Sequence, residues 1–95
     1  MGSDKLWKMI TPLKLYIKSG CPWCIEAERY LDANGYQYEV MDVKRNPAGY
    51  AEMIRLSGQT YAPTLEVGGK VLADFDSEEL DQFLKAENIL PSFGA

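Results

Sequence analysis

The chain has 95 residues, 46% hydrophobic and 25% charged, the scale and balance of one ordinary globular domain, which buries roughly 65% of the surface its unfolded form exposes. Fourteen acidic against ten basic residues give a formal net charge of −4, which argues against a nucleic-acid binder, and no apolar run approaches the roughly 20 residues of a membrane span. Two cysteines and no histidine exclude His-based acid–base catalysis, Cys–His nucleophilic pairs and mixed Cys/His zinc sites, leaving the chemistry that two sulfurs do alone.

Residues 1–12 show no clear periodicity and are set apart as an N-terminal extension, in which Trp7, Met9 and Ile10 can pack on the domain edge. Lys5 and Lys8 precede only a broken apolar stretch, so no secretory signal is expected. Leu13–Ile17 is rich in strand formers and predicts a first strand, broken by Lys18–Ser19–Gly20. The pattern then turns helical, with Cys21 at the cap and Pro22 at the first helical position, where a missing N–H costs nothing. Cys24, Ala27 and Leu31 share one face of this helix, and Asn34–Gly35 stops it. A second strand is expected over Tyr36–Val43, with Tyr36, Tyr38 and Val40 on one face.

Asn46–Pro47 predicts a cap and first turn for a second helix carrying Tyr50, Met53, Ile54 and Leu56, ended by Gly58. Pro63–Val67 and Lys70–Ala73 read as a third and a fourth strand joined by a Gly68–Gly69 hairpin turn. Asp76 and Glu79 have the spacing of a capping box, ahead of a third helix with Leu80, Phe83 and Leu84 as its apolar stripe. The order β-α-β-α-β-β-α predicts an α/β domain over residues 13–87, with a four-stranded mixed sheet flanked by helices, followed by a loose tail, 88–95. The first β-α-β is expected to be a right-handed parallel unit.

Cys21–Pro22–Trp23–Cys24 is the segment with chemistry in it. Side chains three apart on a helix lie roughly 5–6 Å apart at Cβ, close enough to form a disulfide after small adjustment. The helix start favours a thiolate at Cys21, since such motifs lower the pKa from about 8.5 to roughly 3.5–7.5. Lys18 adds positive charge, while Glu26 and Glu28 are expected to point outward. Cys21 is therefore the expected nucleophile, with Cys24, one turn into the helix, as the resolving thiol. The spacing also fits half of a zinc site or a structural disulfide. A four-residue loop removes little chain entropy, which makes the structural disulfide the weakest of these readings.

Four elements in order resemble the glutaredoxin family of the thioredoxin superfamily. They are Lys18 ahead of Cys21–Pro22–Trp23–Cys24, Ser57–Gly58 at a helix end, the Tyr61–Ala62–Pro63 loop, and Phe75–Asp76 opening the last helix. Thioredoxins proper are less similar, having tryptophan before the first cysteine and proline next to the second. The resemblance implies a thioredoxin-like fold and a cis Pro63 facing the cysteines. It also implies that the backbone of Ala62 pairs with an extended thiol substrate, in the manner of strand addition.

Glutathione is the implied co-substrate. Lys18, with Gln59 or Thr60 nearby, would meet its glycyl carboxylate. The N–H groups of Asp76 and Ser77 would hold the γ-glutamyl carboxylate, and the Asp76 side chain its amine. Pro22, Trp23, Tyr61, Asp74 and Phe75 complete the implied substrate-binding set. Two departures bear on this: Ala73–Asp74 stand where the family has Gly-Gly, and Tyr61 where it has a small threonine. Both weaken the glutathione implication more than the dithiol one.

The leading expectation is a monomeric, cytoplasmic, glutathione-linked thiol–disulfide oxidoreductase. It would act on disulfide-containing or glutathionylated proteins and be served by the glutathione reductase system, with no metal, nucleic acid or membrane involved. Two alternatives keep the fold: a redoxin reduced by a thioredoxin reductase or a dedicated partner, and an iron–sulfur dimer ligated through Cys21, which Pro22 disfavours.

Overall fold

A computed structural model describes residues 13–91 of the chain; the expectations for 1–12 and for 92–95 lie outside the described residues. The elements are β1 (Leu13–Ile17), α1 (Pro22–Ala33), β2 (Tyr38–Asp42), α2 (Pro47–Ser57), β3 (Thr64–Val67), β4 (Lys70–Ala73) and α3 (Ser77–Ala86). The four strands form one sheet in the order β2-β1-β3-β4. β1 runs parallel to β2 and antiparallel to β3, and β4 is antiparallel to β3. This is the thioredoxin-like arrangement expected of the element order.

Alternation along β1 sorts the sheet's two faces. Leu13 and Leu15 join Leu65 and Val67 of β3 beneath Ala27 and Leu31 of α1 and Leu80 and Leu84 of α3. Tyr16 points the other way and packs with Val43 and with Met53 of α2. The period of two in the strands thus sends each side chain to its own layer, and the helical stripes cover both. Two of the three helices, α2 and α3, begin with the side-chain caps their sequences predict. Asn46 Oδ1 accepts from the Gly49 N–H at 2.9 Å, ahead of Pro47 at the first helical position. Asp76 and Glu79 close a reciprocal capping box on α3.

Several boundaries differ from expectation: β2 ends at Asp42 rather than Val43, and β3 begins at Thr64 rather than Pro63. The second strand starts at Tyr38, not Tyr36, because the Tyr36 N–H is spent on the Leu31 carbonyl (2.9 Å) and the Gly35 N–H on Asp32 (3.2 Å). Those two bonds, with Gly35 at φ +76°, form a Schellman motif that ends α1. β2 is also the sheet edge, so Val40 is exposed rather than packed with Tyr38. The same motif recurs after α3, with Asn88 at φ +57° and Ile89 N–H on the Leu84 carbonyl. Ile89 packs against the larger core and its carbonyl accepts from the Tyr36 hydroxyl at 2.8 Å. The packed domain therefore reaches Ile89, past the boundary at 87, and only beyond it does Leu90 stand out into solvent.

Several phenols are tied down at the sheet's two faces. The Tyr16 hydroxyl donates to Glu52, and burial first, then that bond, pushes its pKa up to about 12. Tyr30 and Tyr38 are pushed up too, by burial and then by their bonds to Asp81 and Asp32. A raised folded pKa means that the unfolded chain ionises first as pH rises, so the stability is intact below the unfolded value and lost above it. Thermal unfolding of the reduced protein is expected at an unchanged Tm from pH 7 to about 8, with a fall that begins near pH 8.5, where the Cys24 thiol ionises only in the unfolded chain, and steepens above about pH 10 as the phenols join it. A Tm that holds through pH 11 would contradict this assignment of the phenols.

Candidate active site

The first half of the site is the junction between β1 and α1. The Cys21 N–H closes a turn onto the Lys18 carbonyl at 3.1 Å, with Gly20 at φ +84° in its third position. That conformation is strained for residues with a Cβ. The turn is pinned from the end of β2 and the turn after it: the Ser19 hydroxyl donates to the Asp42 carboxylate, and Lys44 Nζ donates to the Ser19 carbonyl at 3.1 Å. Cys21 is the N-cap of α1 and Pro22 follows at its first position. The Cys21 side chain takes no cap bond from the helix. Its thiol instead donates to the Ala62 carbonyl, Sγ to O 3.9 Å. The contact with the helix N–H groups expected from sequence is replaced by this cross-site contact.

Cys24 lies one turn on, buried at 1% exposure against the half-exposed Cys21. Burial pushes the Cys24 thiol up to about 12, a hydrogen bond with Cys21 adds to the rise, and a backbone hydrogen bond from Lys18 opposes it. Glu28 is half-buried and also raises Cys24, whereas Glu26 is exposed. Only Glu26 points outward as expected; Glu28 lies one turn below Cys24 on the same side of the helix.

The second half is the 59–63 loop before β3. The Ala62–Pro63 bond is cis and Pro63 is buried. Gln59 folds back on its own loop, accepting from the Tyr61 N–H and donating to the Tyr61 carbonyl at 3.2 Å. Lys18 Nζ donates to the Thr60 carbonyl at 2.8 Å and lies 5.6 Å from the centre of the Tyr50 ring. Tyr61 is 62% exposed. Lys18, Gln59 and Thr60 are thus brought together, with Lys18 bonded to the Thr60 carbonyl and Gln59 to the Tyr61 backbone.

The third part is the start of α3. Asp74 has φ +54°, the left-handed conformation that a glycine would take without strain, and its N–H donates to the Pro63 carbonyl at 2.9 Å. Phe75 is buried in the larger core. The Asp76 N–H donates to Glu79 Oε1 at 3.2 Å and Asp76 Oδ1 accepts from the Glu79 N–H at 2.8 Å. The Asp76 N–H expected to hold a γ-glutamyl carboxylate therefore already has a carboxylate of its own. Ser77, half-buried, opens the helix beside it. Trp23, Asp74, Phe75, Asp76 and Glu79 line a shallow open pocket. Sequence reasoning left Glu79 out of the site because its capping-box role accounted for it, and left out Tyr50 as one more apolar helix residue.

A thioredoxin-like sheet carrying a half-exposed thiol and a buried one at the start of α1 defines a thiol–disulfide oxidoreductase class of protein. The family model that matches, over residues 13–72, is Glutaredoxin. The chain belongs to the glutaredoxin family. It is 28% identical over 64 residues to Glutaredoxin 3 of Escherichia coli (strain K12), covering 67% of this chain and 77% of that one. It is 26% identical over 73 residues to an uncharacterized glutaredoxin-like 8.6 kDa protein in the rubredoxin operon of Clostridium pasteurianum, covering 77% of this chain and 97% of that one. The crystal structure of the thioredoxin-like protein BC3987 superposes with a TM-score of 0.70 at 30% identity, covering 76% of this chain and 99% of that one.

Proposed function

We propose that the protein reduces protein disulfides through a Cys21/Cys24 dithiol and is itself re-reduced by a protein dithiol donor of the thioredoxin reductase kind. The pairing of a half-exposed Cys21 with a buried, protonated Cys24 carries this reading. The Cys21 thiolate attacks one sulfur of the substrate disulfide. That S–S bond breaks, and the leaving sulfur departs as a thiolate that takes up a proton. Cys24 then loses its proton and attacks Cys21 Sγ, releasing the second substrate thiol and leaving a Cys21–Cys24 disulfide. Two electrons pass to the substrate, and the donor dithiol restores them by the reverse exchange.

The groups that would have to face glutathione support this donor. Lys18 is engaged with Thr60, Gln59 with Tyr61, and the Asp76 N–H with Glu79. An anionic tripeptide would also meet the Asp74 carboxylate. A second reading, with glutathione as donor, is favoured by the Ala62 backbone beside Cys21 and by the family. A reducing compartment such as the cytoplasm suits either reading.

The test is turnover of one protein disulfide with NADPH and either thioredoxin reductase or glutathione plus glutathione reductase. The first donor is expected to give a rate constant at least about tenfold the second, the factor that 1.4 kcal/mol of lost ligand contact represents. Faster turnover with glutathione would reverse the donor assignment and keep the dithiol.

A further inference from the structure

We infer that Lys44 and Asp42 are positioning residues that act through Ser19 to aim the Cys21 sulfur along the disulfide bond it attacks. This rests on the dithiol reading above and adds what holds the nucleophile in line.

Cys21 closes a four-residue turn, with its N–H on the Lys18 carbonyl at 3.1 Å, and Gly20 at φ +84° in the third position makes that turn type II. A type I turn would keep the same closing bond with the Ser19–Gly20 peptide turned over. The Ser19 carbonyl belongs to that peptide, and Lys44 Nζ donates to it at 3.1 Å. The Ser19 hydroxyl is held as well, by one oxygen of the Asp42 carboxylate. The other Asp42 oxygen accepts from the Lys44 N–H at 3.0 Å, so the two residues that grip Ser19 are also fastened to each other. The Ser19 bond, first, holds the Asp42 carboxyl below its usual range, so the acceptor is ionised at neutral pH. Beneath them the Val43 N–H donates to the Ile17 carbonyl at 2.9 Å, which fixes the two segments side by side.

These bonds end on Ser19, two residues before the sulfur, so neither Lys44 nor Asp42 is itself a catalytic residue. Their effect is on direction. Attack on a disulfide needs the thiolate in line with the S–S bond that breaks, and a misplacement of about 1 Å can cost about 10²-fold. Cys21 enters α1 in an extended conformation, at φ −83° and ψ 118°, and its side chain takes no cap bond from the helix. The turn behind it therefore sets where the sulfur starts from. If the Ser19–Gly20 peptide turns over, Cys21 moves with it. A small alkylating agent can approach a thiolate from any open side and makes no such demand.

The full chain, reduced beforehand, tests this with two reagents near pH 7: a protein disulfide in single turnover, and iodoacetamide, with Cys21 followed by mass. Lys44→Met removes the grip on the carbonyl, and Ser19→Ala releases the Asp42 carboxylate with no change of charge. Lys44→Arg keeps a cationic donor. Arg45→Met removes the same charge from the next residue, whose guanidinium lies 3.7 Å from the Asp42 carboxylate and makes no bond to the Ser19 turn among the described residues. Disulfide attack is expected to fall about tenfold in Lys44→Met and about threefold in Ser19→Ala, while alkylation stays within about twofold of wild type in both. Lys44→Arg should recover most of the disulfide rate, and Arg45→Met should keep it.

Disulfide rates within about twofold of wild type in both Lys44→Met and Ser19→Ala overturn the inference. So does an equal fall with the two reagents, which a change in thiolate fraction alone would produce, and so does an equal loss in Arg45→Met. Where Lys44→Met fails to fold, the Ser19→Ala comparison decides by itself. Failure of the wild-type protein to reduce any disulfide would instead remove the dithiol reading.

Discussion

Cys21→Ser is expected to lower disulfide reduction by on the order of 10³-fold or more, because a hydroxyl is not ionised near neutral pH and a thiolate is the attacking species. The geometry assigns the loss to this sulfur alone. Cys21 is half-exposed, with its thiol on the Ala62 carbonyl, whereas Cys24 is buried at 1% exposure and cannot meet a substrate without the helix opening. Cys24→Ser should therefore give a different failure. Attack proceeds, a covalent complex of Cys21 with the substrate accumulates, and turnover stops unless an outside thiol resolves it.

The raised Cys24 pKa adds a pH signature to the second step. Its thiolate fraction grows about tenfold per pH unit below the folded value of about 12. Release of substrate from the mixed disulfide on Cys21 should thus quicken from pH 7 to 9 in the protein that keeps Cys24, and the complex trapped in Cys24→Ser should show no such release. Mass spectrometry of quenched complexes for the two variants checks the whole sequence. A Cys21→Ser protein that still forms the complex would place the nucleophile elsewhere.

Leu65→Ala is expected to cost about 2–5 kcal/mol of stability, since the side chain is fully buried. Leu65 sits in the middle of the sheet, opposite Leu15 on one side and Leu72 on the other. It is also two residues from Pro63, so the same packing holds the loop that faces Cys21. A domain this small has only about 5–15 kcal/mol in all, so a lower urea midpoint and a steeply reduced Tm are expected. Leu90→Ala, at a side chain 76% exposed, should leave both nearly unchanged. Equal effects of the two would contradict the core described above.

The element order and nearly every helix terminus were legible in the sequence, because caps and breakers act locally. Asn46–Pro47, Asp76 with Glu79, and Gly58 mark their ends through bonds within a few residues. The start of β2 was not legible: Tyr36 is a good strand former, and only the Schellman bond to Leu31 removes its N–H from the sheet. At the site, the cysteines and the Pro63 loop could be read from residue type and spacing. The engagement of Lys18 with Thr60 and the place of Glu79 in the pocket could not, because each depends on how separate segments meet in space. Asp74 was legible as a departure from glycine, but its left-handed backbone was not.

The contact between Cys21 and Ala62 joins residues 41 apart in the chain, and that between Lys18 and Thr60 joins residues 42 apart. Both cysteines are synthesised and paired within one helix long before β3 exists to lie against β1. A chain that has folded only its first β-α-β unit has the dithiol but neither the Ala62 carbonyl nor the Thr60 carbonyl that meet Cys21 and Lys18. Non-local closure is the slow event in such topologies, and until it occurs the nascent protein carries two thiols without the loop that faces them.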